Sequence, residues 1–222
     1  MDDFGDIERH AADRKGGPAA LESLLPSCKT AADLAAIPDD RYLAEMTKRV
    51  FQAGFVWRVV EQKWPAFEAA FDGFQPGRVA MLDDEALDAM MSNAGLIRNY
   101  KKLETARRNA GFILDIAREH GSFGRFVADW PVDDIVGLWQ VLKTKASRLG
   151  GNSGPYMLRF MGKDTFILSG DVVKALVGQG VVDKEPTGQR ALKTVQAAFN
   201  RWHSQCGRPL CQISRILACS VD

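Results

Sequence analysis

Residues 145–156 read Lys145-Ala146-Ser147-Arg148-Leu149-Gly150-Gly151-Asn152-Ser153-Gly154-Pro155-Tyr156. Three glycines within five positions lie between two helical stretches. The pattern predicts a helix that runs into a tight turn, then a short second helix opening near Pro155. Glycine lets a backbone approach an anion closely, and a helix start offers free N–H donors. Cations crowd the wider stretch: Lys143, Lys145, Arg148, Arg159, Lys163 and Lys174 stand against Asp164 and Asp171. Gly150, Gly151, Asn152, Ser153 and Gly154, with Lys145 and Arg148, are therefore candidates for gripping a DNA backbone phosphate. The glycines alone also fit a plain helix connection beside a solvated basic face.

Outward from this turn the dominant apolar spacing is i, i+3, i+4, the amphipathic helix pattern. A long helix is predicted over 99–119, with Tyr100, Leu103, Ala106, Ala110, Ile113 and Ala117 on one stripe. Its other faces carry Arg98, Lys101, Lys102, Arg107 and Arg108, a candidate second phosphate strip. Asp83 suits the N-cap of a helix that stops near Asn93-Ala94-Gly95, with Leu82 and Leu87 as its hydrophobic staple. Further helices are expected over 132–147, from a Thr187 cap through Trp202, and over 209–219. Residues 19–50 read as short helices broken at Pro26 and Pro38. No stretch sustains a period of two, so the fold class expected is all-α. Residues 1–18 lack apolar periodicity and are read as a flexible N-terminal arm. One helical domain is expected over 19–222.

Composition narrows the function classes. The 222 residues are 46% hydrophobic and 26% charged, an ordinary globular balance. Lys+Arg 29 against Asp+Glu 28 gives a net charge of +1. A nucleic-acid site must then be a local patch and not a bulk polycation. No apolar run approaches the roughly 20 residues of a membrane span. The acidic start has no apolar signal region, so a cytoplasmic protein without a membrane partner is expected. Cys28, Cys206, Cys211 and Cys219 are expected to be reduced thiols. His203, Cys206 and Cys211 match no zinc spacing, because paired C-x-x-C ligands are missing.

Leu149 to Gly154, followed by Ser169-Gly170-Asp171-Val172-Val173-Lys174, resembles the helix-hairpin-helix and Gly/Pro-Asp loop of the base-excision DNA glycosylase superfamily. Gln52-Ala53-Gly54-Phe55-Val56-Trp57 through Trp64-Pro65-Ala66-Phe67 resembles the DNA-3-methyladenine glycosylase I family. So does Asn93-Ala94-Gly95-Leu96-Ile97-Arg98, leading into Lys102 and Arg107-Arg108-Asn109-Ala110. The resemblance runs over roughly 40–219 in order. It implies a two-lobed helical fold with a DNA cleft between the lobes, acting as a monomer on double-stranded DNA that holds damaged bases.

The resemblance also sets out what departs. The loop Asp that superfamily members use to activate water falls on Ser169, with Asp171 two residues later; the 3-methyladenine type I family lacks that Asp too. The family's zinc site has its C-terminal positions here at Asp171 and Ala175, and the first 20 residues contain no Cys. No metal or other cofactor is therefore expected. The family's base-reading Glu falls on Arg49, while its pocket Trp is kept as Trp57. No Lys stands at the position of Schiff-base lyase chemistry, which falls near Pro155 or Tyr156.

The chemistry assigns the roles. A base to be excised must leave the duplex stack and find aromatic surfaces. Trp57 is the candidate for that surface, with cation–π attraction of about 0.5–2 kcal/mol for a cationic alkylpurine. Gln52 is the candidate reader of the base edge or sugar. Arg49 beside a cationic base is unfavourable, so it either turns out to a phosphate or the lesion is neutral. Asp171 and Ser169 are the candidate catalytic pair; the other reading makes Ser169 an N-cap with Asp171 in the first helical turn. Tyr156 and Asn152 stand where they can probe the minor groove. The function expected is a monofunctional DNA glycosylase that hydrolyses an alkylated purine such as 3-methyladenine from DNA. The alternatives are a non-catalytic binder of DNA lesions or structures, and a helical protein-interaction module.

Overall fold

The structure is a computed structural model and describes residues 3–221. Among the described residues every regular element is a helix, as the all-α reading expects. Observed boundaries follow the local signals closely. The long helix is Tyr100–His120, opened by Asn99, whose side chain accepts the Lys102 N–H. Asp83 N-caps Asp84–Met91 by accepting from the Ala86 N–H. The last helix is Leu210–Cys219. The cap predicted at Thr187 is corrected: helix Gln189–Cys206 starts one residue later, after Gly188, without a side-chain cap. No helix of the described residues is long and apolar enough to cross a membrane.

The chain forms two compact units interleaved in sequence. One comprises Met1–Lys29, Pro131–Leu138 and Gly162–Asp222; the other comprises Thr30–Trp130 and Trp139–Met161. Crossing between units along the chain is invisible to periodicity, which reports only local faces.

The terminal unit shows that residues 3–15 are not a flexible arm. Phe4–Lys15 is a helix N-capped by Asp3, and Phe4, Ile7, Ala11 and Ala12 are buried. The i, i+3, i+7 and i+8 spacing is helical, but two of its four members are alanines and carry little apolar signal. Phe4 sits 6.1 Å from Trp202, ring to ring. Phe166 stacks on Phe199 at 4.1 Å. Arg208 fastens this helix and the next, contacting Glu8 at 2.7 Å and Glu22 at 2.9 Å. Its pKa rises, chiefly from the hydrogen bond to Glu22.

The other unit is built on two buried helices. Asp39–Gln52 buries Tyr42, Leu43, Met46, Val50 and Phe51, and it packs against Tyr100–His120. Beside them an aromatic pile forms from Trp64, Phe67, Phe71 and Phe74, with ring separations of 5.1–6.4 Å. Burying such side chains contributes about 1.5–3 kcal/mol each before entropy is counted. The C-terminal end of Asp39–Gln52 is buried within this unit, with Val50, Phe51 and Gln52 at 2% exposure or less.

Candidate active site

Glu45, Arg49 and Gln52 lie at i, i+4 and i+7 of helix Asp39–Gln52, so they share one face. Lys102 fixes the end of that helix. Its Nζ donates to Ala53 O at 2.7 Å and Phe51 O at 3.4 Å, capping carbonyls that the helix leaves open. Burial lowers its pKa, and nearby Arg148 lowers it further. Lys102 is thus a buried clamp and not part of a phosphate strip. Arg107 is likewise diverted, donating to Leu82 O and to Asp84, while Arg108 pairs with Glu104. Of the predicted strip, Arg98 and Lys101 remain exposed and outside these pairings.

Past that helix end the chain turns through Gly54 and starts helix Trp57–Ala70. Here a cleft of about 360 Å³ opens, lined by Arg49, Gln52, Trp57, Asn152, Ser153 and Tyr156 among others. It falls in the usual size range for ligand pockets. The predicted pocket residues Trp57, Gln52 and Arg49 are therefore brought together. They are joined by hairpin residues that the sequence assigned to the DNA backbone or groove.

Trp57 is 41% exposed and meets Tyr156 edge-on at 5.7 Å and Phe160 at 6.1 Å. Phe55, Val56, Val59 and Phe160 are also exposed. Such an apolar rim marks an interaction surface.

Arg49 does not turn out to solvent: it is 4% exposed. Its Cζ lies 3.9 Å from the Phe160 ring centre and 5.1 Å from that of Trp57. Nε lies 2.6 Å from Glu45 Oε1, an ion-pair distance without the alignment of a hydrogen bond. Burial pushes the Glu45 pKa up and the Arg49 pKa down, each opposed by the partner's charge. Arg49 Nη1 and both amide atoms of Gln52 are buried with no hydrogen-bond partner. Buried polar atoms are nearly always paired, so three orphans beside one cleft call for an explanation in function. The sequence reading missed Glu45 and Phe160. Both were reachable by helical spacing, Glu45 from Arg49 and Phe160 from Tyr156.

The hairpin has the predicted form. Its turn covers residues 150–152, and helix Ser153–Met161 follows. Gly151 takes φ +58, and Arg148 adopts φ +60. A Cβ on Gly154 would stand 2.7 Å from Leu149 O, so only glycine permits this approach of turn and helix. Gly151, Asn152, Lys145 and Arg148 are exposed. Buried Asn109 pins the approach to the turn, accepting the Ser147 N–H at 2.6 Å and donating to Ser147 O at 3.2 Å. Lys163, counted among the phosphate cations, is instead 3% exposed and held inside the terminal unit.

Ser169 and Asp171 belong to that terminal unit. The Ser169 hydroxyl is engaged as an N-cap, accepting the Val172 N–H at 3.3 Å at the start of helix Gly170–Gly178. Asp171 lies in the first turn, exposed, 3.8 Å from Lys174. An N-cap and a dipole-favoured carboxylate account for both residues. The zinc that the resemblance implies does not fit these positions, because Ala175 offers no ligand. Elsewhere in the unit, Cys28, Asp164 and Cys211 place ligand atoms within 4.8 Å of one another. Both Asp164 oxygens already accept backbone N–H groups, from Leu210 and Cys211, so this carboxylate serves as a helix cap. None of the four cysteines is joined in a disulfide.

Comparison with known proteins adds an independent line. DNA-3-methyladenine glycosylase of Haemophilus influenzae is 36% identical over 76 residues, covering 34% of this chain and 41% of that protein. DNA-3-methyladenine glycosylase 1 of Escherichia coli is 32% identical over 76 residues, with the same coverage. The matches thus span about two-fifths of these curated relatives. The structure of 3-methyladenine DNA glycosylase I from Staphylococcus aureus aligns with a TM-score of 0.52 at 20% identity, covering 70% of this chain and 91% of that one. That likeness shows a shared fold. Residues 35–147, just over half of the chain, match the methyladenine glycosylase family. That span holds the helix bearing Arg49 and Gln52, Trp57, and the long helix that anchors them, and it places the chain in the methyladenine glycosylase family.

Proposed function

We propose that this protein is a monofunctional base-excision DNA glycosylase that hydrolyses the N-glycosidic bond of an alkylated purine. The observation that carries the reading is the cleft itself. An exposed indole, a buried unpaired amide and a buried guanidinium face it, and the hairpin supplies Asn152, Ser153 and Tyr156 to the same space. Double-stranded DNA holding a damaged base is the substrate. Gly150 to Gly154, Lys145 and Arg148 hold the backbone, and the apolar rim from Phe55 to Val59 supports the opened stack, as wedge residues do. Trp57 covers one face of the extruded base and Gln52 reads its edge.

In the reaction the C1′–N9 bond breaks with its electron pair going to the base. Water adds at C1′, and the proton that water releases ends on the departed base or in solvent. Asp171 keeps the role expected from the sequence, a carboxylate to offset oxocarbenium charge, as a proposal that the Asp171→Asn variant decides, and Ser169 caps its helix. The reaction as proposed needs no cofactor. A monomer working in the cytoplasm fits this role.

The experiment is incubation of the full chain, in excess, with methylated duplex DNA and mass-spectrometric detection of freed bases. Release of an alkylpurine that is lost in Trp57→Ala supports the reading. Duplex binding without any release assigns the protein to a non-catalytic lesion binder instead. Asp171→Asn with unchanged release removes that residue from the mechanism.

A further inference from the structure

We infer that the cleft selects an uncharged alkylated purine with hydrogen-bond acceptors on its ring edge, and that Arg49 is the residue that excludes cationic ones. The inference rests on the glycosylase reading and narrows its substrate class.

The aromatic surfaces come first. A cationic base would be held over Trp57 and its neighbours by cation–π attraction. Those surfaces already carry a cation, because the Arg49 guanidinium lies 3.9 Å from the Phe160 ring centre and 5.1 Å from Trp57. A second positive charge would meet the first at close range in a poorly solvated site, where repulsion is stronger than in water. The carboxylates within reach of Arg49, Glu45 and Glu61, act on the guanidinium, and neither lines the cleft where a base would sit. Glu45 binds Arg49 through Nε and is not part of the lining. It steadies the guanidinium without presenting its own charge to a ligand.

The orphaned polar atoms give the second reason. Arg49 Nη1 is a donor in any state, and the Gln52 amide supplies a donor and an acceptor. All three are buried without protein partners. A base edge carrying acceptor atoms satisfies them, as arginine and glutamine do with purine edges in duplex recognition. A quaternised purine ring has lost one acceptor and spread positive charge over the rest.

The departure of the base gives the third. An uncharged purine leaves C1′ with the bonding pair and becomes anionic until it gains a proton. A guanidinium at its edge is bound more strongly as that charge develops, so Arg49 lowers the barrier for this class. For a base that is cationic at the outset, departure neutralises the charge and Arg49 gives no such gain.

The test uses the full chain at pH 6 and two duplexes, one holding a single 1,N6-ethenoadenine and the other a single 7-methylguanine. Single-turnover release, corrected for spontaneous loss, and equilibrium affinity are both measured. Wild type is compared with Arg49→Gln and with Glu45→Gln/Arg49→Gln, which removes both buried charges together and so guards against misfolding. The ratio of neutral to cationic lesion is expected to fall about tenfold or more in both variants, in release and in affinity. An unchanged ratio, or one moving the other way, overturns the inference while leaving glycosylase activity standing. If wild type releases neither base, the glycosylase reading is decided by the methylated-duplex experiment, and the affinity ratio alone decides for or against selection by charge.

Discussion

Gln52 and Arg49 carry most of the buried side-chain atoms without a hydrogen bond among the described residues, and that makes their substitutions diagnostic. A buried amide without partners costs about 1–3 kcal/mol. Gln52→Leu is therefore expected to raise the unfolding free energy by roughly 1–2 kcal/mol in urea titration, while base release falls about tenfold or more. A stability loss with unchanged release would make Gln52 an ordinary packing residue. Glu45 gives a pH test. Burial holds its folded pKa above the ordinary 4.5. The native state then binds this proton more tightly than the unfolded chain, so the contribution of Glu45 is fully present below 4.5 and fades as pH rises through the folded pKa. Glu45→Gln keeps the protonated shape. Its stability relative to wild type is expected to improve between pH 4 and pH 7, and a flat difference across that range contradicts the assignment. Trp57, Gln52 and Arg49 were legible in the sequence because they sit in one short motif. That Arg49 stays inside was not, because whether an arginine at a helix end points in or out depends on Phe160, over a hundred residues away.

The hairpin and its two flanking helices were the most readable element, since glycine spacing fixes a turn wherever the chain goes next. The structure adds why each position matters. Gly154→Ala would bring a Cβ against Leu149 O, and a loss of about 1–3 kcal/mol is expected. Gly151→Ala meets open space but keeps φ +58, a milder loss of about 1–2 kcal/mol. Thermal unfolding of the two variants should rank them in that order; equal losses would mean that the close approach is absent. Asn109→Ala should cost about 1–3 kcal/mol and slow base release, because it frees both Ser147 backbone groups. Nothing in the sequence marked Asn109 or Lys102 as anchors. A polar residue on a helix stripe looks solvated until its partner, here a chain turn far along the sequence, is known. The first helix was overlooked for the reverse reason, since Ala11 and Ala12 bury well but signal weakly.

Across the whole chain the near-balanced charge limits how the proposed DNA substrate can be held. With a net charge of +1, affinity must come from local cations, of which Lys145 and Arg148 are exposed at the turn. The slope of log affinity against log salt should shrink by about 0.9 for each phosphate contact removed, so by about 1.8 in Lys145→Ala/Arg148→Ala. An unchanged slope would move the backbone contact elsewhere. The interleaving of the two units was beyond sequence reading altogether, since each helix face is satisfied locally and nothing in its period says which neighbour covers it. The decisive observation is a crystal structure of the protein bound to a duplex with a single abasic-site analogue. The extruded sugar is expected at the mouth of the cleft formed by Arg49, Gln52, Trp57 and Tyr156, with a phosphate on the Gly150–Gly154 turn. A duplex seated on another surface, with that cleft left vacant, would contradict it.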